Sequence, residues 1–568
     1  MKDWKYKKRT MLMETALLLV LACSERLTIP GRSNPESQWA GRCHFSDATE
    51  KAGLRFVHTW GSPRMRNMVD SVGSGVGFFD YDGDGQMDIF LAQSGGGESR
   101  LYRNEGNWTF TDVTEKAGLK IAGYGMGVAA ADYDNDGHQD FFVTSYGRNI
   151  LFHNSGNGTF TDVTEKAGLE VVNAFSTQAA WADIDNDGHL DLYVTHYIDY
   201  RPEMKHVHAG ALSKREGFSF FPGPRDYDAV TDTLYRNNGN GTFENITENA
   251  GLSPGGKGLG VAFSDLDNDG DQDIFVANDR TPKFLYENDG KGRFREHAFR
   301  SGVAVSEDGE ATAGMAVAVD DFDGDGLLDL VMTNMIFEFN SLFRNEGGMR
   351  FRDIARASHF AEDSYRFVGF GVASLDIDND GWRDILVNNG HMVDYIDAFS
   401  QSMTSKQERQ VYLNRGGGQF SDVTRDCGDV YAVRKLGRGL AYADVDDDGK
   451  MDLLAADAGE RPALYHNATK NSGHWLRIRV SGRKSNRDGI GAKIFVTVGD
   501  RTQIQEVRAQ SSYLATNDPR NLFGLGENDG ADAIELRWPS GRIDRIGPTK
   551  ADQTILIEEG VELKETAP

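Results

Sequence analysis

Three cysteines in 568 residues are too few for a disulfide scaffold. After the first 23 residues no run is both long and apolar enough to cross a bilayer. Basic residues are in deficit, 61 Lys and Arg against 87 Asp and Glu, and the net charge of −26 argues against nucleic-acid binding. The chain also lacks a nucleophile elbow, a His-Glu-x-x-His zinc signature and a phosphate-binding glycine loop, so no common catalytic motif points to a reaction.

What the chain has in excess is one nine-residue stretch, present seven times. It first reads Asp80, Tyr81, Asp82, Gly83, Asp84, Gly85, Gln86, Met87, Asp88. Carboxylates stand at positions 1, 3, 5 and 9, a glycine at 6, and apolar residues at 2 and 10. The four carboxylates of each copy are Asp80, Asp82, Asp84 and Asp88; Asp132, Asp134, Asp136 and Asp140; Asp183, Asp185, Asp187 and Asp191; Asp265, Asp267, Asp269 and Asp273; Asp321, Asp323, Asp325 and Asp329; Asp376, Asp378, Asp380 and Asp384; and Asp444, Asp446, Asp448 and Asp452. A hard cation such as Ca²⁺ takes six to eight oxygens at roughly 2.3–2.6 Å, and alternate side chains of a curled loop can converge on it. Position 4 is Gly, Asn or Asp in every copy, the types that tolerate the left-handed backbone such a curl needs. Position 7 is Gln86, His138, His189, Asp271, Leu327, Trp382 and Lys450, as expected if it offers the ion only a backbone carbonyl. A merely solvated acidic turn would not hold positions 1, 3, 5, 6 and 9 while releasing 7 and 8. The reading is up to seven bound Ca²⁺.

The flanks decide what kind of loop this is. An EF-hand needs a bidentate Glu at position 12, where these loops carry Leu91, Val143, Val194, Val276, Met332, Val387 and Ala455. Successive loops start 52, 51, 82, 56, 55 and 68 residues apart, too far for a tandem calcium wire. That leaves turns between strands of a large repeat. The 28 loop aspartates make the acidity largely a metal-site signature: seven divalent ions would bring the net charge to −12.

In chain order, Lys2, Lys5, Lys7, Lys8 and Arg9 precede an apolar run from Ala16 to Ala22 that ends at Cys23. This is the pattern of a secretory signal over residues 1–23. Val20-Leu21-Ala22-Cys23 also resembles a bacterial lipoprotein cleavage box, with Cys23 as the residue that would carry a lipid anchor. Export is expected, to a secreted, periplasmic or cell-surface location. Residues 24–44 read as a linker.

From Phe45 each unit shows a Phe-led segment (Phe45, Phe110, Phe160, Phe243, Phe294, Phe351, Phe420), a small-residue strand entering the acidic loop (Gly127-Val128-Ala129-Ala130-Ala131), an apolar run leaving it, and a segment like Leu101-Tyr102-Arg103-Asn104. Four short strands per unit and seven units predict a seven-bladed β-propeller over 45–470. The chain opens with a Phe-led segment and none follows the last loop, so the Phe45 strand is expected to complete the seventh blade and close the ring. Closure sets Cys43 near the blade of Cys427; a disulfide there and two free thiols both stay open.

Two insertions break the period. Residues 196–233 carry His196, His206, His208, Lys205, Lys214, Arg215, Phe218, Phe220 and Phe221, and Gly390–Gln410 carries His391, Asp394, Tyr395 and Asp397. Long insertions in a tight repeat tend to share a rim and to be functional, so a ligand pocket is expected there. The histidines lack zinc-site spacing. Past Asn471, alternating strands such as Trp475 to Val480 and Ile534 to Trp538 predict a small all-β domain over 471–560, with a tail at 561–568.

The repeats resemble FG-GAP/VCBS repeats, the blade units also found in integrin α-subunit propellers. The tail resembles the ASPIC/UnbV domain through Asn486-Arg487-Asp488-Gly489-Ile490-Gly491-Ala492, Phe523-Gly524-Leu525-Gly526 and Trp538-Pro539-Ser540-Gly541. Together they are similar to the cartilage acidic protein 1 family and its bacterial relatives. That resemblance implies an exported, calcium-dependent, integrin-α-like propeller used for binding or adhesion, and no agreed reaction. Two functions follow: an extracellular module that binds a glycan or protein, which is preferred, or an enzyme, for instance carbohydrate-active, with a carboxylate pair on the axial face.

Overall fold

The computed structural model describes residues 39, 41–121, 123–169, 174–202, 221–400 and 402–562. The signal segment, Cys23 and most of the linker lie outside them, as do the insertion residues His206, His208, Lys205, Lys214, Arg215, Phe218 and Phe220. Among the described residues no helix is long and apolar enough to cross a membrane.

Each repeat folds as four antiparallel strands. In the first unit these are Val76–Phe79, Asp88–Leu91, Arg100–Asn104 and Phe110–Asp112. The second strands carry apolar residues on both faces because both faces are covered: Ile89, Phe90 and Leu91 are all buried. Glycine and alanine keep the first strands slim where the units converge, as in Gly258–Ser264. The innermost strands pack one on the next in chain order, and that of the seventh unit, Gly437–Ala443, packs on that of the first. The result is a β-propeller, consistent with seven blades.

The closing strand is Phe45–Asp47, paired antiparallel with Ala463–Asn467 at Phe45↔Asn467 and Asp47↔Tyr465. Cys43 and Cys427 form a disulfide across a sequence separation of 384 residues, and the Phe45 amide donates to the Cys427 carbonyl at 3.0 Å. The strand thus joins the start of the ring to the seventh blade, and the disulfide ties it to the segment that follows the sixth blade's last strand, Phe420–Asp422. Replacing Cys427 by Ser is expected to cost about 2–5 kcal/mol, read as a lower denaturant midpoint at unchanged slope. A reductant should lower the wild-type midpoint likewise and leave the variant unmoved.

The C-terminal part has its own core, with Leu476, Ile478, Ile494, Val496, Phe523, Leu536 and Trp538 buried together. His474–Ser481 lies between Asn521–Gly526 and Gln553–Glu558 in one sheet, and Lys493–Val498 between Arg501–Glu506 and Ala533–Arg537 in the other. Between two of these strands the chain leaves for the propeller axis. Residues 510–517 run through the ring: Ser512 N–H donates to the Val317 carbonyl at 2.7 Å, Val372 N–H to Ser512 Oγ at 3.0 Å, Gln510 Nε2 to the Ala130 carbonyl at 2.8 Å, and Tyr442 N–H to Asn517 Oδ1 at 3.1 Å. Ala515–Thr516 pairs parallel with Val76–Gly77. The first-strand glycines admit this segment: a Cβ on Gly75 would lie 2.6 Å from the Leu514 carbonyl oxygen, and one on Gly127 3.2 Å from Leu514 Cα. From the middle of the segment Tyr513 OH donates to the Val72 carbonyl of a short helix, Met68–Val72.

Candidate metal centres

The seven acidic stretches are tight turns between first and second strands, with strands and not helices on either side. Their backbone curls as the sequence requires: position 4 takes a positive φ in every copy, from 55° at Asn379 to 78° at Gly324, and the position 6 glycines lie between 81° and 100°. The curl is held by the aspartates themselves. In each loop the position 1 carboxylate accepts the position 6 N–H, at 2.9 Å for Asp80 and Gly85 and 2.9 Å for Asp183 and Gly188. The position 5 carboxylate accepts the position 7 N–H, at 2.9 Å for Asp84 and Gln86. Position 9 opens the second strand and is fully buried, as at Asp88, Asp140 and Asp452.

These bonds leave oxygens turned to a common centre. Ligand atoms of Asp80, Asp82 and Asp88 lie within 4.8 Å of one another, as do those of Asp132, Asp134 and Asp136, and of Asp183, Asp185 and Asp191. Asp82 Oδ1, Asp185 Oδ1, Asp446 Oδ1 and Asp140 Oδ2 are buried without a hydrogen-bond partner. Burial, with neighbouring carboxylates adding to it, pushes the loop acids upward: Asp273, Asp329 and Asp444 to about 8, Asp140 and Asp183 to about 7, and Asp88, Asp191 and Asp384 well above the usual range. A donor set of buried, unpaired carboxylate oxygens fits a hard divalent cation.

One residue that the sequence displayed but did not explain joins the loops into a ring. The asparagine ending each third strand donates its backbone N–H to the position 9 carboxylate of its own loop, at 2.8 Å for Asn104 to Asp88 and 2.7 Å for Asn237 to Asp191. Its side-chain amide donates to the position 2 carbonyl of the preceding loop: Asn154 to Tyr81, Asn237 to Tyr133, Asn288 to Ile184, Asn345 to Leu266, Asn414 to Phe322, Asn467 to Ile377, and Asn104 back to Val445. Its recurrence in Leu-Tyr-Arg-Asn was the available signal. Asn154→Ala would strand the Tyr81 and Gln139 carbonyls, and is expected to cost about 1–3 kcal/mol in a denaturant titration.

The C-terminal domain sits on this same face. Lys493 Nζ lies 2.8 Å from Asp265 Oδ2 and Arg477 Nη1 2.7 Å from Asp444 Oδ2. Asp488 accepts the Asp132 N–H at 2.8 Å, and Arg487 N–H donates to Asn135 Oδ1 at 2.8 Å. From the N-terminal side Arg42 bridges Asp378 and Asp380 of the sixth loop. None of these partners was legible, because nothing in the sequence says which surface the tail covers.

Similarity searches agree with this organisation. The FG-GAP-like repeat model matches residues 80–143, 132–194, 225–276, 265–332 and 321–387, and the ASPIC and UnbV model matches 482–564. The chain is an FG-GAP-repeat protein with an ASPIC/UnbV domain. Cartilage acidic protein 1 of Xenopus tropicalis is 27% identical over 507 residues, which span 83% of this chain and 70% of that protein. The Homo sapiens protein is 25% identical over 520 residues, spanning 85% and 71%. Among solved structures, an Agrocybe aegerita lectin recognising non-reducing terminal N-acetylglucosamine aligns over 62% of this chain and 79% of its own at 18% identity, with a TM-score of 0.34. A likeness at that score says nothing of ligands.

The residues of the two insertions that are described are tied into this FG-GAP propeller by hydrogen bonds. His196 is buried, with Nδ1 3.2 Å from Ser176 Oγ and Nε2 2.9 Å from Thr233 Oγ1. His391 Nδ1 accepts the Val393 N–H at 3.0 Å, and Asp394 and Asp397 accept N–H groups of Met65 and Ser405. A cleft of about 270 Å³ lies elsewhere, between the first two acidic loops and the C-terminal domain, with Asp80, Asp132, Asp488, Arg479 and Arg520 in its walls.

Proposed function

We propose that the acidic loops hold divalent cations, Ca²⁺ in an all-oxygen shell and up to seven in number, and that the chain is an exported binding module. The observation carrying the metal reading is the set of buried, partnerless carboxylate oxygens at Asp82, Asp140, Asp185 and Asp446. The ions would neutralise the rim on which the C-terminal domain rests, so that calcium stiffens both the blades and the domain contact. An outer face of the propeller or the C-terminal domain then meets an extracellular glycan or protein. The filled axis favours binding over catalysis, because residues 510–517 and the Met68–Val72 helix occupy the place where an axial active site would open. The Cys43–Cys427 disulfide supports an oxidising destination, whether secreted, periplasmic or cell-surface, as does the Cys23 lipobox-like segment.

Equilibrium dialysis against calcium with metal analysis of the full chain should give several ions per molecule, and a glycan array probed with and without calcium should show calcium-dependent binding. Absence of bound ions would remove the metal assignment. Turnover of an arrayed glycan in place of retention would favour the enzyme.

A further inference from the structure

The residue just before each coupling asparagine differs among units: Arg103, His153, Arg236, Glu287, Arg344, Leu413 and His466. In the first unit Arg103 reaches the outer carboxylates, 2.6 Å from Asp82 Oδ2 at position 3 and 2.8 Å from Asp84 Oδ2 at position 5. The shorter histidines turn inward, to positions 3 and 9. His153 Nδ1 stands 3.3 Å from Asp134 Oδ2 and 3.3 Å from Asp140 Oδ1, and hydrogen-bonds to neither. His466 takes a similar place with the same ring nitrogen, hydrogen-bonded at 3.3 Å to Asp452 Oδ1 and 3.9 Å from Asp446 Oδ2. In both loops the three ligand atoms lie within 4.8 Å of one another.

A second observation is independent of this clustering. In six loops the outer oxygen of the position 9 aspartate accepts the position 2 N–H, as in Asp88 from Tyr81 and Asp452 from Val445. In the second loop that atom, Asp140 Oδ2, has no partner although its side chain is fully buried. In the seventh loop the partnerless buried oxygen is Asp446 Oδ1 at position 3, a feature shared with Asp82 and Asp185, so that the unpartnered position 9 oxygen is particular to the second loop. Both imidazoles are also held by aromatic rings: Tyr133 packs edge-on to His153 at 6.4 Å, and Trp108 edge-on to His466 at 4.8 Å while donating to Asp446 Oδ2 at 2.8 Å.

We propose that the second and seventh loops are mixed nitrogen and oxygen sites, His153 with Asp134 and Asp140 and His466 with Asp446 and Asp452, that take a first-row divalent transition ion in preference to calcium. Calcium favours oxygen donors and gains little from an imidazole, whereas the affinity of transition ions rises with nitrogen in the shell. The inference rests on the reading above only in that these loops hold cations. The other five loops place a guanidinium (Arg103, Arg236, Arg344), a carboxylate (Glu287) or an apolar side chain (Leu413) there, and no nitrogen that can ligate.

The test uses the full chain, stripped with chelator and then dialysed against Co²⁺ in excess Ca²⁺, with metal analysis and the visible ligand-field spectrum as readouts. Two Co²⁺ per chain with nitrogen-containing ligand fields are expected. His153→Gln and His466→Gln should each weaken one Co²⁺ by at least about tenfold, the size that losing even a ligand's supporting partner produces, with calcium content of the other loops unchanged. Arg236→His in the third loop should add a further Co²⁺, a gain that impaired folding cannot mimic. Co²⁺ that calcium fully displaces, or that both Gln variants retain, overturns the inference while leaving calcium binding in place. A chain that binds neither ion overturns the calcium reading as well.

Discussion

In excess chelator the protein is expected to melt well below its temperature in calcium, with calcium restoring the loss more fully than magnesium. An ion that binds only the folded chain stabilises it by about 2.7 kcal/mol per site at a concentration a hundredfold over its dissociation constant. Several sites acting together would thus rival the entire stability of an ordinary domain. Magnesium demands near-ideal octahedral geometry and gives up water reluctantly, so the curled loops suit it less. The effect should depend on pH with a definite sign. Burial raises Asp273, Asp329 and Asp444 to about 8 in the folded chain, against about 3.9 when unfolded. The folded state therefore binds protons that the unfolded state releases, and its stability in chelator should fall as pH rises through the window from about 4 to about 8. Calcium needs the ionised form, so the calcium-dependent part of the stability should grow over the same window. Melting curves in chelator and in calcium at several pH values test both statements. A melting temperature indifferent to chelator would end the metal assignment, and a chelated protein that gains stability toward pH 8 would contradict the charge argument.

Leu514→Asp is expected to be the most damaging single substitution at the axis, and Leu514→Ala to cost about 2–5 kcal/mol. Leu514 and Tyr513 are 0% exposed. They sit where first strands from several units meet: Val76 N–H donates to the Leu514 carbonyl at 3.2 Å, and Leu514 N–H reaches Gln178 Oε1 at 3.4 Å. Phe370 packs on the Tyr513 ring at 5.1 Å between centroids. An aspartate would be a charge buried among apolar side chains, which the fold can accommodate only by expelling the segment. Urea unfolding followed separately by Trp fluorescence and by protease resistance of the C-terminal domain would read this out. The two probes should shift together, because one segment ties domain to propeller; a loss confined to the C-terminal domain would mean that the propeller does not depend on its axial filling.

The sequence was legible where the chemistry repeats. Fixed aspartates, a left-handed position 4 and a position 6 glycine each answer to a local requirement of one turn, and the structure curls every copy as those residues demand. The lone Phe45 segment announced the closing strand for the same reason, since a blade lacking its outer strand leaves an edge unpaired. The asparagine ring was printed in the sequence yet silent, because its partner carbonyls belong to a neighbouring unit some 70 to 340 residues away.

By itself, then, the sequence determined the repeat, its strand count, the acidic turns and the closing strand, all of which rest on contacts between residues close in the chain or on the periodicity itself. Only the tertiary structure decided that Cys43 meets Cys427, that the C-terminal domain lies over the acidic loops, and that Gln510 to Asn517 fill the axis. Those contacts occur once and join distant segments, so no period records them. Each depends on which surfaces lie opposite one another after the ring has closed.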